Sequence, residues 1–379
     1  MSIYAIAAIW VGLAIVACLV SEKTGMTLAL VEILIGVVAG NIIDLQIGEW
    51  VDYLAAVGPL LLTFLAGADI NPAHIRQNLK PTLAIGLISF LLPFAVGFCA
   101  ALFVLQWSPE AARIAGIALS TTSVAVVYTI LWETGLNETH LGQSILAACF
   151  VTDFGTVLLL GLMFTGFTWK TVALVVVTVL VCFLARPIAE RASRLFGGGT
   201  TEGEIKLVLL MLLGLGALAI FAGSEAVLPS YILGFVLASF FMERKDVIEK
   251  IRIVGYVAFL PFYFIKAGSL VSLAAVATPI ALASIVLFFL VKVASKTVGI
   301  LSVMKVFSFS TRDGAFASML MSTGLTFGTI SALYGLTHGF VTPSQYAMLV
   351  TAIIATAVIP TIAAQQFFMP ERTESGEER

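Results

Sequence analysis

The 57 residues from 314 to 370 contain no Asp, Glu, Lys or Arg. A helix needs about 20 mostly apolar residues to cross a bilayer, so this segment is long enough for two crossings. We divide it at THGFVTPSQ, where polar and turn-forming residues interrupt the apolar run. Similar apolar runs recur along the whole chain, and they predict an all-α polytopic membrane protein.

The composition excludes an ordinary soluble domain. Only 11% of the 379 residues are charged and the mean hydropathy is +1.08, whereas soluble domains carry about 25% charged residues. Breaks at charged, Pro or Gly clusters predict thirteen spans. Their approximate bounds are 3–20, 27–43, 54–70, 81–106, 112–132, 142–165, 168–186, 205–222, 227–242, 253–273, 276–300, 313–335 and 344–368. The first span lacks the basic region and cleavage site of a signal peptide, so we expect it to be retained.

The basic residues predict an orientation. The loops after odd-numbered spans, together with the C-terminal tail, hold 15 of the 20 Lys and Arg residues. Because cytoplasmic loops are enriched in basic residues, we expect the N-terminus outside and the C-terminus in the cytoplasm. We expect an integral protein of a prokaryotic cytoplasmic (inner) membrane.

The loops are too short to hold a second domain. The longest, at about 186–205, contains FGGGTTEGE and leaves no room for a nucleotide-binding domain. We predict a single membrane domain over 1–379 with the lipid bilayer as its surroundings, no nucleic-acid partner and no cofactor. No nucleophile motif, metal-ligand spacing or phosphate loop stands out, so an enzyme is not expected.

Two segments about 200 residues apart share small-residue motifs. Each motif series is Ser/Thr-rich, then Gly-Leu, then Val-Thr; the series run through 120–123, 135–136 and 151–153, and through 322–324, 335–336 and 350–352. A shift of seven spans gives the copies opposite orientation, as in many secondary transporters. We therefore expect inverted repeats over about 3–165 and 205–368, joined by a linker helix at about 168–186. Chance matching of small residues is the alternative.

Spans 5 and 12 have the composition of interrupted helices. The stretches IALSTTSVAVV and LMSTGLTFGTI place Ser, Thr and Gly where a continuous helix favours Leu or Ala. Such breaks are tolerated where hydroxyls satisfy the freed backbone groups beside a cavity, although close helix packing by small residues is the alternative. The predicted lining residues are Thr121, Ser322, Thr323, Gly324 and Thr326.

Asp153 is the one charged residue between Leu141 and Trp169. A carboxylate near the bilayer centre faces a cavity or a partner and often relays ions or protons, with a structural ion pair to a lysine as the alternative. A carboxylate takes either H⁺ or a hard monovalent cation such as Na⁺. Hydroxyl oxygens of Thr122, Thr152 and Ser123 are candidate further ligands.

Four other ionisable residues lie away from the ends of predicted spans. Lys292 and Lys296 are four residues apart and share one helix face, with Lys292 the more central. Glu32 and Lys266 lie in spans 2 and 10. Position alone leaves open which lysine is the charge partner of Asp153.

At these residues the chain resembles the monovalent cation:proton antiporters of the NapA and KefB/KefC kind. The likeness rests on LVEILIGVVAGN, FLAGADIN, LSTTSVAV followed by FVTDFG, and SKTVGIL followed by STRDGA. It implies the NhaA/NapA-like fold with two crossed broken helices, and a core bundle over about 81–165 and 276–368. It also implies an elevator-like mechanism and a homodimer.

The resemblance also assigns roles. It implies that Asp153 carries the ion and the proton, and that Lys296, by register, neighbours the site, with Lys292 in reserve. Thr152 occupies the position that is Asp in electrogenic relatives, which implies one-for-one, electroneutral exchange. The region MSTGLTFG lacks the charges that many relatives carry there.

We therefore predict alternating-access exchange of Na⁺ for H⁺ in pH homeostasis. K⁺/H⁺ exchange is the nearest alternative. A Na⁺-coupled carrier of organic anions or an ion channel is the alternative from a different class.

Overall fold

The computed structural model describes residues 2–24, 26, 28–43, 45, 47–69, 78–164, 169–196, 202–223, 227–269 and 278–370. These ranges contain sixteen α-helices and no β-strand. They are α1 (Ile3–Thr24), α2 (Leu28–Ile42), α3 (Glu49–Ala68), α4 (Leu79–Cys99), α5 (Pro109–Ser120), α6 (Val124–Glu133), α7 (His140–Phe164), α8 (Trp169–Phe196), α9 (Gly203–Phe221), α10 (Val227–Glu243), α11 (Lys245–Ala258), α12 (Leu260–Ser269), α13 (Pro279–Val306), α14 (Thr311–Leu320), α15 (Leu325–Thr337) and α16 (Pro343–Phe367). A π-helical turn, Ala100–Val104, extends α4.

In the described ranges the helices form thirteen successive segments, the number that the sequence predicts. Three of these segments consist of two helices each, namely α5 with α6, α11 with α12, and α14 with α15. Nine helical segments of the described chain are long and apolar enough to cross a bilayer. The predicted span ends that fall within 70–77, 165–168 and 270–277 lie outside the described residues.

The predicted end of span 7 at residue 186 is wrong. Helix α8 continues to Phe196, and within this extension Arg186 pairs with Glu190 one turn later, at 2.9 Å. The small side chains of Ala189 and Ala192 are buried on its inner face. The charges that indicated a loop are the exposed side of a helix.

The predicted start of span 10 at residue 253 is also wrong. Helix α11 begins at Lys245 and buries Val247, Ile248 and Ile251 on one face, and of its charged residues only Arg252 is buried with them. An amphipathic helix of this kind has too many charges for an apolar-run criterion to find it.

Four helices that surround the middle of the molecule start with the same local device. A Ser or Thr side chain accepts a hydrogen bond from a backbone N–H of the first helical turn, which satisfies one of the orphan donors there. The capping residues are Ser108 for α5, Thr278 for α13, Ser310 for α14 and Thr342 for α16.

Left-handed backbone conformations recur about 200 residues apart. Gln106 and Ser308 have φ of 55° and 64°, and each stands two residues before the cap of α5 or α14. Gly135 and Gly339 form a second such pair, with φ of 70° and 72°. These spacings are close to those of the sequence motifs, although Gly135 pairs here with Gly339 and not with Gly335 of the Gly-Leu motif.

The helices pack as two bundles. One, the crossing bundle, comprises α4–α7 and α13–α16; the other, the flanking bundle, comprises α1–α3 and α8–α12. The most extensive helix pairs lie within a bundle, such as α4 with α13 and α3 with α10. Between the bundles the main contact is α3 against α6.

Glycines allow the backbones of the flanking bundle to touch. A Cβ on Gly36 would lie 2.1 Å from the carbonyl oxygen of Ile265, and a Cβ on Gly268 would lie 2.0 Å from that of Ile33. Helices α2 and α12 are therefore interlocked from both sides. Helices α3 and α10 meet in the same reciprocal way through Gly67 and Gly234.

Candidate functional site

Two interrupted helices meet inside the crossing bundle. Helix α5 ends at Ser120, Thr121 and Ser123 have extended backbones, and α6 begins at Val124. Helix α14 ends at Leu320 and α15 begins at Leu325. Both interruptions lie where the Ser/Thr/Gly stretches predict them.

A backbone hydrogen bond joins the two interruptions. The N–H of Ser123 donates to the carbonyl of Thr323, at 2.8 Å. The hydroxyl of Thr122 donates to the carbonyl of Met321 at 3.1 Å, and that of Thr121 donates to the carbonyl of Gly324 at 3.3 Å. Groups at the two interruptions that have no partner within their own helix are thus hydrogen-bonded across the crossing. A buried interruption in a helix requires such partners.

Lys296 of α13 lies at this crossing. Its Nζ donates to the carbonyl oxygens of Thr121, at 3.0 Å, and of Met321, at 2.7 Å, and to the hydroxyl of Thr122, at 2.6 Å. The carbonyl-rich end of a helix carries partial negative charge. One buried ammonium group therefore neutralises the ends of both α5 and α14.

Lys292, one turn earlier on the same face, is also buried but has a different environment. Its Nζ has no hydrogen-bond partner among the described residues. A Cβ on Gly324 would lie 2.0 Å from this Nζ, so the missing side chain of Gly324 makes the room for it. Gly324 precedes the first residue of α15, at the positive end of that helix, which is unfavourable for a second cation.

Asp153 lies on α7 and is 3% exposed. Its Oδ1 is buried without a hydrogen-bond partner in the part of the chain that the structure describes. Lys296 is the charged residue with which it interacts electrostatically. A buried carboxylate with a free oxygen beside one cation is a group that gains stability from binding either a proton or a second cation.

Two of the three predicted hydroxyl ligands are hydrogen-bonded elsewhere in this conformation. The Thr152 hydroxyl donates to the carbonyl of Cys149 in its own helix, at 2.7 Å. The Thr122 oxygen is bonded to Lys296. The backbone N–H of Ser123 donates to the carbonyl of Thr323. Cation binding by these three residues therefore stays a prediction.

The other predicted lining residues surround the break in the second interrupted helix. Ser322 and Thr323 are buried, and their hydroxyls donate back to the carbonyls of Ser318 and Leu320 in α14. Nothing is described of the side chain of Thr326. The crossing thus brings together Thr121, Thr122, Ser123, Thr323, Gly324, Lys292 and Lys296.

Glu32 and Lys266 lie apart from this crossing. Lys266 forms an ion pair of 2.7 Å with Asp52 in the first turn of α3, and both side chains are partly exposed. Glu32 is buried in α2 of the flanking bundle, in electrostatic contact with Glu133. Neither residue joins the group around Asp153.

One neighbour of Asp153 was absent from the sequence prediction. Tyr231 of α10 lies within electrostatic range of the Asp153 carboxylate, and its hydroxyl donates to the carbonyl of Leu146 on α7, at 3.0 Å. Its ring stacks on Phe150 with centroids 5.0 Å apart. A tyrosine inside an apolar span gives no sequence signal, since aromatic residues are common there.

Comparison with known proteins places this arrangement in a family. Residues 11–369 match the family described as "Sodium/hydrogen exchanger, transmembrane". The chain belongs to this family. It is therefore a membrane antiporter that exchanges cations for protons and not an enzyme.

Curated relatives of this exchanger share about a quarter of its residues. The Na⁺/H⁺ antiporter NhaS4 of Synechocystis is 26% identical over 81% of this chain and 79% of its own. The Na⁺/H⁺ antiporter of Enterococcus hirae is 23% identical over 92% of this chain and 93% of its own. The Na⁺/H⁺-K⁺ antiporter GerN of Bacillus cereus is 21% identical, and the match covers 89% of each chain.

The exchanger's fold has a solved counterpart. The sodium proton antiporter MjNhaP1 of Methanocaldococcus jannaschii aligns with a TM-score of 0.70 at 13% identity, over 96% of this chain and 97% of that one. The all-helical polytopic fold predicted from the sequence is confirmed by this match.

Proposed function

We propose that Asp153 is the group for which the proton and the transported cation compete. The observation that supports it is the buried Oδ1 of Asp153, which has no partner among the described residues. Asp153 is also the only buried Asp or Glu within the described part of the crossing bundle. A single carboxylate that can hold one charge at a time couples the two fluxes, because each ion must leave before the other binds.

We propose Na⁺ as the principal cation and one-for-one exchange. With one titrating carboxylate, replacing H⁺ by Na⁺ leaves the charge of the site unchanged, so the exchange carries no net charge across the membrane. The neutral Thr152, whose hydroxyl is bonded to the carbonyl of Cys149, supports this stoichiometry. K⁺ is the alternative cation, since the relative GerN is named a Na⁺/H⁺-K⁺ antiporter.

We propose that the crossing bundle moves against the flanking bundle to give alternating access. The reciprocal glycine contacts support a rigid flanking bundle. Two cavities, of 410 and 260 Å³, lie between the bundles and leave room for displacement. In this proposal the flanking bundle forms the homodimer and the N-terminus lies outside. The motifs around Asp153 and Lys296 support the NapA/KefB–KefC-like branch of the family.

Proteoliposomes test the proposal. We expect added Na⁺ to dissipate an imposed pH gradient, and we expect the Asp153→Asn protein to give only the rate of empty liposomes. Asp313→Asn, the same change at the start of α14 in the same bundle, serves as the matched control and should retain exchange. Normal exchange by the Asp153→Asn protein would refute the assignment. Parallel runs with Li⁺ and K⁺ measure the selectivity.

A further inference from the structure

A polar cluster ties the two bundles together at the end where α3 and α6 finish. The carboxylate of Asp69, which directly follows α3, accepts a 2.7 Å hydrogen bond from the Tyr128 hydroxyl and a 3.3 Å bond from the Asn137 amide. It also receives Nη2 of Arg252, at 3.2 Å from both oxygens. Asp69 and Arg252 belong to the flanking bundle, whereas Tyr128 and Asn137 belong to the crossing bundle.

Arg252 makes two further contacts with the opposite bundle. Its guanidinium carbon lies 3.5 Å from the centre of the Trp132 ring on α6, and Nη2 donates to the Tyr128 hydroxyl at 3.1 Å. The side chain is 6% exposed. Cation–π contacts of a desolvated guanidinium are among the stronger side-chain interactions, so one arginine holds the end of α6.

The cluster is built so that α6 can leave without exposing an unpaired charge. Arg252 and Asp69 sit on the same bundle, so their ion pair persists when Tyr128 and Trp132 move away. Breaking a buried ion pair is strongly unfavourable, and the arrangement avoids that cost. The contacts that must be released are hydrogen bonds between neutral side chains of the crossing bundle and the two charged groups, the bond from the Gln143 amide to the Asp69 carbonyl, and one ring face.

Packing around the cluster differs from packing inside each bundle. The tight glycine contacts of the described residues all join helices of the same bundle, as Gly86 of α4 does with Val151 of α7. At the cluster, by contrast, the 410 Å³ cavity lies between the bundles and is lined by Asp69, Arg252, Trp132 and Gln143. Besides the apolar packing of α3 on α6, the interface is therefore held at this end by separable polar contacts and has space beside them.

We propose that Arg252, paired with Asp69, is a releasable latch that binds Tyr128 and Trp132 and holds the crossing bundle in the conformation seen here. The latch opens once in each transport cycle and sets the balance between the two access states. This inference rests on the proposed movement of the bundles. It adds residues outside the ion site that govern the rate of that movement.

Spin-label distances between the bundles test the latch. Labels at Thr311→Cys, at the exposed start of α14, and Glu243→Cys, at the exposed end of α10, report the relative position of the bundles. The four native cysteines are replaced first. Tyr128→Phe removes two hydrogen bonds to the latch and should shift the population of the present distance about five-fold or more. Tyr53→Phe, the same change at a hydroxyl exposed on α3, should leave it unchanged.

Transport kinetics supply a second measurement. Tyr128→Phe and Trp132→Phe should change the turnover rate several-fold while the Na⁺ KM stays within about two-fold, since neither residue touches Asp153. Arg252→Lys, which keeps the charge but loses the flat guanidinium, should behave like Trp132→Phe. An unchanged distance distribution and unchanged turnover in both aromatic variants would overturn the latch.

Failure of the latch and failure of the proposed ion site give different results. The distance measurement is repeated in the Asp153→Asn protein, where the latch contacts are intact and the Tyr128→Phe shift should persist. Exchange that survives Asp153→Asn refutes the ion site and leaves the latch result standing. Loss of exchange in Asp153→Asn, combined with no Tyr128→Phe shift, refutes the latch alone.

Discussion

The Nζ atom of Lys296 lies 2.6 Å from Oγ1 of Thr122, a residue of the other half of the chain. The same ammonium group holds the carbonyls of Thr121 and Met321, the end groups of two separate helices. Lys296 is therefore an architectural residue as well as a neighbour of Asp153, and its substitution should affect folding and transport together.

Lys296→Met should destabilise the protein and abolish exchange. The change removes the ammonium donor from two buried carbonyls and one hydroxyl, of which the Met321 carbonyl keeps only its bond from Thr122 among the described residues, and it removes the charge that balances two helix ends. The expected loss is about 3 kcal/mol or more. Thermal unfolding of the detergent-solubilised protein measures it. A variant that unfolds at the wild-type temperature would contradict the role of Lys296 at the crossing.

Lys292→Met should have the opposite effect on stability. Lys292 has the same burial and lies on the same helix, but its Nζ has no hydrogen bond to lose among the described residues. Replacing an unpartnered buried cation by an apolar side chain of similar length should be neutral or stabilising by about 1–2 kcal/mol. Exchange in proteoliposomes should continue. A loss as large as that of Lys296→Met would show that Lys292 has a partner in another state of the cycle.

Gly324→Ala should impair exchange strongly. The added Cβ would lie 2.0 Å from Nζ of Lys292 and 2.6 Å from Oγ1 of Thr121, so the crossing must open to admit it. We expect a loss of about 2–3 kcal/mol in stability, typical of overpacking a tight site. Gly214→Ala in α9, where no atom of the described residues lies within 4 Å of the added Cβ, is the matched control and should behave as wild type.

Thr152→Asp should convert electroneutral exchange into charge-moving exchange. In the wild-type protein Asp153 is the one carboxylate at this level of α7. A K⁺ diffusion potential imposed without a pH gradient should therefore not drive Na⁺ transport. A second carboxylate beside Asp153 would carry an additional proton, and the same potential should then accelerate transport. Thr152→Ser keeps the hydroxyl that bonds Cys149 and should remain insensitive. Potential-driven transport by the wild type would refute one-for-one exchange.

The latch should respond to pH through Asp69. Burial raises the pKa of Asp69, while Arg252 and the hydrogen bonds from Tyr128 and Asn137 act in the opposite direction and Glu138 adds to the rise. When the bundles separate, water reaches this carboxyl and its pKa falls toward the ordinary value. The latched state therefore binds the proton more tightly, so acidification favours the latch and alkalinisation favours its release.

Spin-label distances recorded across the pH range check this dependence. The latched fraction should rise as the pH falls, and Asp69→Asn should make it independent of pH whatever its absolute level. Glu249, which pairs with Arg252 and is partly exposed, provides a control through Glu249→Gln. A pH profile that survives Asp69→Asn would assign the response to another group.

The sequence predicted best the features that depend on residues close together in the chain. Apolar runs predicted the segments, and the Ser/Thr/Gly stretches predicted both interruptions, because a break in a buried helix needs side chains that bond the freed backbone. The position of Lys296 within the family-like motif favoured it over the more central Lys292 as the charge partner of Asp153. Only the fold shows that Lys296 has three acceptors while Lys292 has none among the described residues.

Contacts between distant residues could not be predicted. Arg252 was counted as a loop residue because charges surround it, yet it lies on a helix and meets Asp69, 183 positions earlier. Lys266 likewise forms an ion pair with Asp52 of α3, which its place in span 10 did not predict. Hydropathy measures the average polarity of a segment and does not show on which side of a helix each charge lies.

The sharing of Lys296 between two helix ends also bears on how the protein is made. Thr121 is synthesised 175 positions before the lysine that bonds its carbonyl. Chain synthesis proceeds at about 5–20 residues per second, so Lys296 is added about 9–35 s after Thr121. Until then the Thr121 carbonyl lacks this hydrogen-bond donor. The early half of the chain therefore enters the membrane unfinished and reaches its final form only when the late half arrives.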